Sequence, residues 1–256
     1  MSKEYAVITG ASSGIGMEMA RILYTKGYAL ILAARRKDRL DKLKDELGDD
    51  IDVISVDLSN RENCIRFFDE IKDKNITVFI NNAGFGDCGY FLETSLDKEL
   101  NMIDVNIVAL HVLTKLVVKL FTEKNIKGRI LNVASSAGLF PSGPFMSTYY
   151  ASKAYVASLS QGLAEELREE NTGIYIGALC PGPVDTEFNE VASADFPLKG
   201  ISARYCAEYA IKSMFKGKVI IVPTWYMKLS TWGVRFLPRK AAARITASQQ
   251  KKKTGK

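Results

Sequence analysis

Histidine and cysteine are scarce in this sequence, which narrows the chemistry that is open to the protein. The 256 residues contain one histidine, His111, and four cysteines. A single histidine excludes most metal sites and any Ser-His-Asp machinery that needs another one. The cysteines are scattered without a CxxC spacing, so neither a zinc site nor a disulfide framework is indicated. We predict no metal site and a reduced, cytoplasmic setting.

Long apolar runs are also missing. Residues 1–7 carry charges where a signal peptide needs its apolar region, so we expect no secretion signal. The longest uncharged run, 130–152, is interrupted by glycine, proline and serine, unlike a membrane span. Apolar residues make up 47% of the chain and charged residues 25%, which are ordinary globular values. We therefore expect a soluble protein with one sizeable core.

The net charge of +6 is concentrated near the end of the chain. We expect a solvated, partly disordered basic tail on a nearly balanced body; contact with an anionic membrane surface or another acidic partner is the alternative. No basic-aromatic pattern indicates nucleic acid. The basic residues of this tail are Arg239, Lys240, Arg244, Lys251, Lys252, Lys253 and Lys256.

Short apolar, β-branched segments alternate with helical patterns along residues 1–223. This alternation predicts an α/β domain with a doubly wound, seven-stranded parallel sheet and helices on both faces. A long helix is predicted over 96–123. The remaining residues, 224–256, form an apolar and basic extension that we expect to be helical and then disordered. The predicted strands are 5–9, 28–34, 51–56, 77–80, 129–134, 174–179 and 218–222.

A glycine-rich turn connects the first strand to the first helix. It contains Gly10, Gly14 and Gly16 in a G-x-x-x-G-x-G spacing. Strand, glycine turn and helix together are the context in which backbone N–H groups and the positive helix end hold a pyrophosphate. The glycines let backbone and phosphate approach closely. The alternative is a tight turn with no ligand.

The second strand ends in Arg35 and Arg36. An NAD-selective fold places an acidic residue about 20 residues past the glycines to hold the ribose 2′-hydroxyl. Here no acid occurs until Asp38, and a guanidinium suits the extra phosphate of NADP. We predict NADP(H) in preference to NAD(H). The alternative is that both arginines merely open the charged helix 38–47.

Polar or small residues follow the third and fourth strands. Asp57 is a candidate acceptor for the adenine amino group, or a cap for the helix that begins near Ser59 or Asn60. Small residues in 81–84 would let a ribose lie against the backbone, and an asparagine there could tie neighbouring strands together. Asn106, amid apolar neighbours, must find partners or cost about 1–3 kcal/mol. Such an amide usually forms hydrogen bonds within the fold and has no other role. The more specific role is to support a water relay to an active site.

Tyr149 and Lys153 are four positions apart on a predicted helix, so both side chains project from one face. A phenol has an ordinary pKa of about 10, and a cation beside it favours the phenolate and lowers that value. Such a pair also occurs by chance. Ser135 and Ser136 follow the fifth strand, whose carboxyl end points toward the ligand crevice of an open α/β sheet.

Three later segments have alternative interpretations. The prolines of 181–186 make a rigid loop that could press on a flat cofactor ring. The stretch 187–200 suits a lid over substrate or an ordinary surface loop. The apolar segment 225–237 has three alternative roles. We rank a surface helix packing on the body first, a dimer contact second and an amphipathic membrane-binding element third. His111, the lone histidine, is expected to be structural.

Together these motifs resemble the short-chain dehydrogenase/reductase family over residues 4–223. The family has a Rossmann sheet, a nicotinamide cofactor and an Asn-Ser-Tyr-Lys tetrad. The residues that carry the resemblance are Thr9-Gly10-Ala11-Ser12-Ser13-Gly14-Ile15-Gly16, Asn81-Asn82-Ala83-Gly84, Asn106, Ser135, Tyr149, Lys153, Pro181-Gly182 and Thr186.

The resemblance implies a role for each member of the tetrad. Tyr149 is the acid/base on the substrate oxygen, and Lys153 lowers its pKa and holds the nicotinamide ribose. Ser135 hydrogen-bonds the substrate oxygen, and Asn106 supports a water relay to Lys153. The cofactor contacts it implies are Gly10, Ser12, Ser13, Gly14, Ile15, Gly16, Arg35, Arg36, Asp57, Leu58, Asn82, Ala83, Gly84, Asn106, Tyr149, Lys153, Pro181, Gly182, Val184 and Thr186.

The catalytic serine is the one departure from the family pattern. Family members commonly place it thirteen residues before the tyrosine, which by counting selects Ser136. Aligning the segment by the end of the fifth strand, with Gly138 three residues after the serine, selects Ser135 instead. We choose Ser135 and take 140–145 as one residue longer than usual.

The predicted function is an oxidoreductase that interconverts a carbonyl and an alcohol with NADP(H). Alternatives are a non-catalytic NADP-binding sensor or scaffold, and an isomerase or epimerase of the same superfamily. The resemblance further implies a homodimer or homotetramer formed through the helices bearing Asn106 and Tyr149. The residues that suggest an apolar substrate are Phe85, Phe140, Phe145, Met146 and Phe188.

Overall fold

A seven-stranded parallel sheet forms the centre of the molecule. The computed structural model describes residues 3–188, 192 and 200–251. In chain order the strands are β1 (Tyr5–Thr9), β2 (Ala29–Ala34), β3 (Ile51–Ser55), β4 (Ile76–Asn81), β5 (Arg129–Val133), β6 (Tyr175–Leu179), β7 (Val184–Asp185), β8 (Ile201–Ser202) and β9 (Ile220–Ile221). The strand order in the sheet is β3-β2-β1-β4-β5-β6-β9, and β7 and β8 form a separate two-stranded sheet.

Helices cover both faces of the sheet, which confirms the predicted fold class. They are α1 (Gly14–Thr25), α2 (Lys37–Leu47), α3 (Arg61–Ile71), α4 (Leu96–Ile103), α5 (Leu110–Glu123), α6 (Ser147–Glu169), α7 (Ala203–Phe215), α8 (Trp225–Gly233) and α9 (Arg239–Lys251). Successive strand residues face opposite layers. In β1, Ile8 packs in the core under α1 and α7, whereas Val7 packs in the core under α3 and α5.

The predicted continuous helix 96–123 is interrupted. A π-helical turn, Asp104–Ala109, separates α4 from α5 and carries Asn106. By length and composition Leu96–Glu123 is apolar enough to cross a membrane. The apolar face of α5, including Val117 and Phe121, is buried against the sheet, which accounts for that composition.

The C-terminal extension differs most from the prediction. Residues Arg239–Lys251 form a helix instead of a disordered tail, and Ala242, Thr246 and Gln250 are buried along one of its faces. The i, i+4, i+8 spacing of small and polar residues explains why this packing face was missed in the sequence. Residues 252–256 lie outside the described chain.

The sheet order reverses between β1 and β4. Chains leaving the carboxyl ends of these two strands diverge to opposite sides, which opens a crevice at that edge. The glycine-rich turn follows β1 and the Asn82–Gly84 stretch follows β4, so the crevice is where the sequence motifs converge.

Candidate active site

A cavity of about 390 Å³ occupies this crevice. It collects residues from the carboxyl ends of six strands and from α6, and most of the predicted site residues line it. Gly16 and Asn106 are the two that do not. The predicted residues in the lining are Gly10, Ser12, Ser13, Gly14, Ile15, Arg35, Arg36, Asp57, Leu58, Asn82, Ala83, Gly84, Ser135, Tyr149, Lys153, Pro181, Gly182, Val184 and Thr186.

The glycine turn is held against the end of β4. Gly10 has φ of 65°, and a Cβ there would lie 2.8 Å from the Ala83 Cα. The Asn82 side chain donates to the carbonyls of Thr9 and Gly10 at 3.0 Å each. Gly16 lies behind the turn, where a Cβ would meet the Asn82 amide at 2.4 Å. These contacts require glycine, and they leave the front of the turn facing the cavity.

The N-terminus of α1 and Arg36 form an anion-binding arrangement. The Ser13 side chain makes no capping hydrogen bond to the helix. It accepts instead from the Arg36 guanidinium at 2.9 Å, and Ser12 Oγ accepts from it at 3.2 Å. First-turn amides, two hydroxyls and a guanidinium therefore converge at one end of the cavity, a donor set that fits phosphate groups.

Glu187 also contacts this arrangement. Its carboxylate accepts from Arg36 at 2.9 Å and pairs with Arg39. The two guanidiniums lower the pKa of Glu187 through these hydrogen bonds. Neither Glu187 nor Arg39 was predicted as a site residue, because the pairing joins segments about 150 positions apart.

Asp57 does not cap α3, so that alternative was wrong. Its Oδ1 accepts from the Ser59 N–H at 3.0 Å. The cap is Asn60, whose side chain accepts from the N–H groups of Glu62 and Asn63. Asp57 remains at the cavity wall after β3.

Asn106 is fully buried behind the cavity, and protein groups satisfy its amide. Its Oδ1 accepts from the Phe85 N–H at 3.1 Å. Its Nδ2 donates to the Phe85 carbonyl at 2.9 Å and to Ser152 Oγ at 3.1 Å. A Cβ on Gly84 would lie 2.8 Å from Asn106 Oδ1 and 3.2 Å from Lys153 Nζ. The π turn thus brings the amide to the β4 loop and close to Lys153, as π-bulges at functional sites often do.

Ser135, rather than Ser136, is the hydroxyl that interacts with Tyr149. The Ser135 side chain lowers the pKa of the phenol by hydrogen bonding. The position is set by Gly138, where a Cβ would lie 2.3 Å from the Lys153 carbonyl oxygen. This close approach lets the turn Ser136–Leu139, which Ser135 caps, pack directly on α6. Ser136 donates its N–H to the Pro181 carbonyl at 2.8 Å, which ties β5 to the β6 loop.

Tyr149 and Lys153 are both buried, with 8% and 4% of their surface exposed. Burial raises the pKa of Tyr149 above its ordinary value of 10.0, and Ser135 offsets this only in part. Burial lowers the pKa of Lys153 to about 8, because a charged ammonium is disfavoured away from water. Lys153 Nζ donates to the Val133 carbonyl at 2.9 Å. The net pKa of Tyr149 is therefore raised, because burial dominates, whereas the sequence predicted a lowered value.

Apolar side chains surround the Tyr149 ring. The Phe188 ring centroid is 5.4 Å from it, and a Cβ on Gly86 would meet Phe188 at 2.7 Å. Phe85, Met146 and Phe188 line the cavity as the sequence suggested. Phe140 packs beside them. Phe145 instead packs on Tyr90 at 4.9 Å between centroids. Most of the predicted lid, 187–200, lies outside the described residues.

Some structurally important groups were not among the predicted site residues. Thr9 Oγ1 accepts from the N–H groups of Asn82 and Ala83 at 3.0 and 3.1 Å, which shapes the β4 loop. Tyr150 lines the cavity, and its hydroxyl accepts from Gln250 of α9. The prediction that an asparagine ties strands together is confirmed, because Asn81 Nδ2 donates to Asn132 Oδ1 at 2.9 Å. His111 lies within 2.6 Å of the Tyr155 hydroxyl, away from the cavity lining.

Comparisons with known proteins identify relatives in sequence and in structure. A very-long-chain 3-oxoacyl-CoA reductase of Anas platyrhynchos is 34% identical over 201 residues, which cover 75% of this chain and 63% of the relative. The match thus spans less than two thirds of that relative's length. A short-chain dehydrogenase of Sphingobium yanoikuyae in complex with NADPH superposes with a TM-score of 0.80 at 30% identity, covering 93% of this chain and 97% of that one.

A second solved structure supports the fold alone. It is a short-chain dehydrogenase/reductase of Burkholderia phymatum in complex with NAD, with a TM-score of 0.82 at 24% identity, covering 90% of this chain and 92% of that one. The sequence model of the short chain dehydrogenase family matches residues 4–196. The chain therefore belongs to the short-chain dehydrogenase/reductase family of oxidoreductases.

Proposed function

We propose that the protein interconverts a carbonyl and an alcohol with NADP(H), and that Tyr149 is the acid/base on the substrate oxygen. The observation that carries the proposal is the buried cluster of Tyr149, Ser135 and Lys153 at the wall of the cavity. A nicotinamide cofactor supplies or accepts the hydride when it is bound. The protein supplies binding, orientation and the proton.

The residues present fit such a dinucleotide. The glycine turn exposes backbone amides at the positive end of α1, where a pyrophosphate binds well. Gly84 keeps side-chain atoms out of the space between Asn106 and Lys153. Pro181 and Gly182 form the opposite wall. Asp57, which follows β3 in the cavity wall, would accept from an adenine amino group.

Arg36 supports NADP(H) over NAD(H). Its guanidinium lies with Ser12 and Ser13 at the end of β2, and this donor set suits a 2′-phosphate. No acidic side chain follows β2 before Asp38 to accept from a ribose 2′-hydroxyl. Arg35 lines the same end of the cavity.

The proton chemistry follows from the local electrostatics. Tyr149 keeps its proton at neutral pH because burial raises the pKa of the phenol. It is therefore set to donate to an oxygen that gains negative charge during carbonyl reduction. The Lys153 ammonium, close to the Tyr149 ring at 5.9 Å, stabilises the phenolate that this transfer leaves. Ser135 donates a second hydrogen bond to the same oxygen, and Asn106 holds the loop and turn around Lys153 in place.

The substrate class is a carbonyl compound with an apolar body. Phe85, Met146 and Phe188 line the cavity beside Tyr149. The Anas platyrhynchos relative is named a very-long-chain 3-oxoacyl-CoA reductase, and a 3-oxoacyl group of that kind is a ketone on a long acyl chain. We infer that this chain accepts ketones of that general kind.

A carbonyl screen that follows NADPH consumption tests the proposal, with Tyr149→Phe as the diagnostic variant. Its kcat should fall by about 100-fold or more, while NADPH binding measured by fluorescence quenching stays close to that of the wild type. Tyr24→Phe, outside the cavity, is the matched control. Full turnover in Tyr149→Phe would refute the acid/base role. NADPH binding with no turnover on any carbonyl would instead favour the sensor or scaffold.

Cofactor choice is tested separately through Arg36. Arg36→Ala should weaken NADPH binding by about 10- to 100-fold, the value of charge-assisted hydrogen bonds, and leave NADH binding nearly unchanged. Arg66→Ala, on the exposed face of α3, is the control. If the wild type binds NADH more tightly than NADPH, the NADP assignment is wrong and the role of Tyr149 is unaffected.

A further inference from the structure

The helix α8 presents an unusual outer face. Its inner side is formed by Met227 and Thr231, which pack on the body. Large apolar residues follow on the outer side at a helical i, i+4, i+7, i+11 spacing. These are Trp225, Leu229, Trp232 and Phe236, with 75%, 60%, 60% and 71% of their surface exposed.

The four residues form a stripe along the helix and the turn that follows it. The rings of Trp232 and Phe236 are in edge contact, with centroids 4.8 Å apart. Four large apolar side chains in a row, each more than half exposed, are uncommon on a soluble surface and mark an interaction site. Tryptophan and phenylalanine are also the side chains that favour the boundary between lipid headgroups and acyl chains.

The surroundings of the stripe are strongly basic. Residues 209–256 contain twelve Lys and Arg and no Asp or Glu, whereas residues 1–208 contain 23 Lys and Arg and 29 Asp and Glu. Exposed cations flank the stripe on α8, in the turn Val234–Phe236 and on α9. In the described part of the chain, no salt bridge involves Arg235, Arg239, Lys240 or Arg244.

We propose that this C-terminal face, the outer surface of α8, the turn Val234–Phe236 and the first turns of α9, docks on a bilayer that contains anionic lipids. The stripe would enter the headgroup boundary, and the cations beside it would meet the lipid phosphates and carboxylates. The charge of the face selects this occupant, because a bilayer offers an apolar layer and a negative layer side by side.

The same charge disfavours a second copy of this chain as the occupant. In a two-fold dimer through the stripe, the basic residues around the stripe of one copy would face the same basic residues of the other copy. Like charges across such an interface cost free energy, and no acidic residue after Glu208 is available to offset them. The anionic bilayer has no such conflict.

The face is adjacent to the cavity. A Cβ on Gly182, in the cavity wall, would lie 2.9 Å from Met227 on the inner side of α8. On α9, Gln250 donates to the hydroxyl of Tyr150, another cavity residue. Docking would therefore hold the cavity close to the bilayer, where apolar carbonyl compounds concentrate. Lipid binding itself does not depend on the proposed reaction.

Vesicle flotation with the full chain tests the proposal without any turnover assay. We expect binding to vesicles of phosphatidylcholine with phosphatidylglycerol. Binding to phosphatidylcholine alone should be weaker by about 25-fold or more, because several cations contribute about fivefold each. Binding should also weaken as the salt concentration rises. Equal failure to bind either vesicle would overturn the proposal.

Variants separate the two contributions. Trp225→Ala with Trp232→Ala removes half of the stripe and should weaken binding by about tenfold or more. Arg239→Gln with Lys240→Gln should weaken it by about 25-fold, from about fivefold for each cation near the surface. The matched controls are Ile65→Ala and Lys42→Gln with Lys44→Gln on other faces. Circular dichroism melting confirms that each variant is folded.

Two further results would contradict the proposal. The first is wild-type vesicle binding by both double variants. The second is a wild-type dimer in light scattering that Trp225→Ala with Trp232→Ala converts to a monomer, with no vesicle binding by either protein; the face would then be an interface between copies of this chain.

Discussion

At the scale of single residues, burial acts in opposite directions on Tyr149 and Lys153. Removing water disfavours the charged form of each group, so the phenol retains its proton and the ammonium loses its proton more easily. The pKa of Tyr149 rises and that of Lys153 falls to about 8. Such displaced pKa values in a cleft are typical of functional sites.

Lys153 should make stability depend on pH. Its folded pKa of about 8 lies below the ordinary 10.5, so between these pH values the unfolded chain binds more protons than the folded chain. The buried Lys153 ammonium therefore destabilises the folded protein fully below pH 8. The free energy of unfolding recovers as the pH rises from about 8 to 10.5. From pH 7.5 to 9.5 the free energy of unfolding of the wild type should gain about 2 kcal/mol relative to Lys153→Met.

Urea denaturation of both proteins at the two pH values measures this difference. Lys115→Met, at an exposed position of α5, is the matched control. A constant difference between the wild type and Lys153→Met would show that the buried ammonium does not titrate in this range.

The two serines after β5 should differ in activity. Ser135→Ala should lower kcat by about 100-fold, because it removes a donor to the substrate oxygen. Ser136→Ala should keep kcat within about threefold, since its N–H contact to Pro181 belongs to the backbone. Steady-state kinetics with one ketone substrate compares them, and the opposite ranking would select Ser136.

At the scale of elements, the π turn Asp104–Ala109 links the helical layer to the β4 loop. An uninterrupted α-helix would rotate Asn106 away from its partners by about 100° per residue of shift. The extra residue in the turn lets the amide reach both backbone groups of Phe85 and Ser152 of α6. Three elements are therefore held in register by one side chain.

Asn106→Ala should be strongly destabilising. It leaves the half-buried N–H and C=O of Phe85 and the buried Ser152 hydroxyl without their partner, so we expect a loss of about 3 kcal/mol in the free energy of unfolding. NADPH binding should weaken as well, because Gly84 lies against Asn106. Chemical denaturation and fluorescence quenching measure the two effects, and Asn101→Ala on α4 is the control. Similar losses in both variants would contradict this account.

At the scale of the whole molecule, the C-terminal extension is coupled to the crevice. Gln250 and Tyr150 are 100 positions apart, yet Gln250 Nε2 donates to the Tyr150 hydroxyl. Burial raises the pKa of Tyr150 to about 12, with Gln250 opposing this in part. The extension thus covers one side of the cavity wall.

The neighbouring glutamines of α9 provide a paired test of this coupling. Gln250 is 4% exposed and Gln249 is exposed. Gln250→Ala should lower the free energy of unfolding by about 1 kcal/mol, and Gln249→Ala should change it by less than about 0.5 kcal/mol. Thermal melting measures both. Equal melting temperatures would mean that α9 does not hold Tyr150 in solution.

Much of the site could be predicted because its residues belong to local motifs. The turn of Gly10 and Gly14 requires glycine at fixed spacings, and Tyr149 and Lys153 share a helix face, so both signals are contained in a few consecutive residues. Two features could not be predicted in this way: the capping of α3 by Asn60 and the contact of Gly138 with α6. Each depends on the exact position of one residue, and patterns along the chain locate the ends of elements only to within about one or two residues.

The sequence by itself determined the parallel α/β architecture, the family and most of the residues that line the cavity, because periodicity and motif spacing are local properties. Only the tertiary structure decided the pairing of Arg36 with Glu187, the raised pKa of Tyr149, the π turn at Asn106 and the exposed stripe beside the cavity. Each of these depends on burial or on contacts between distant segments, and the linear order of residues encodes neither directly.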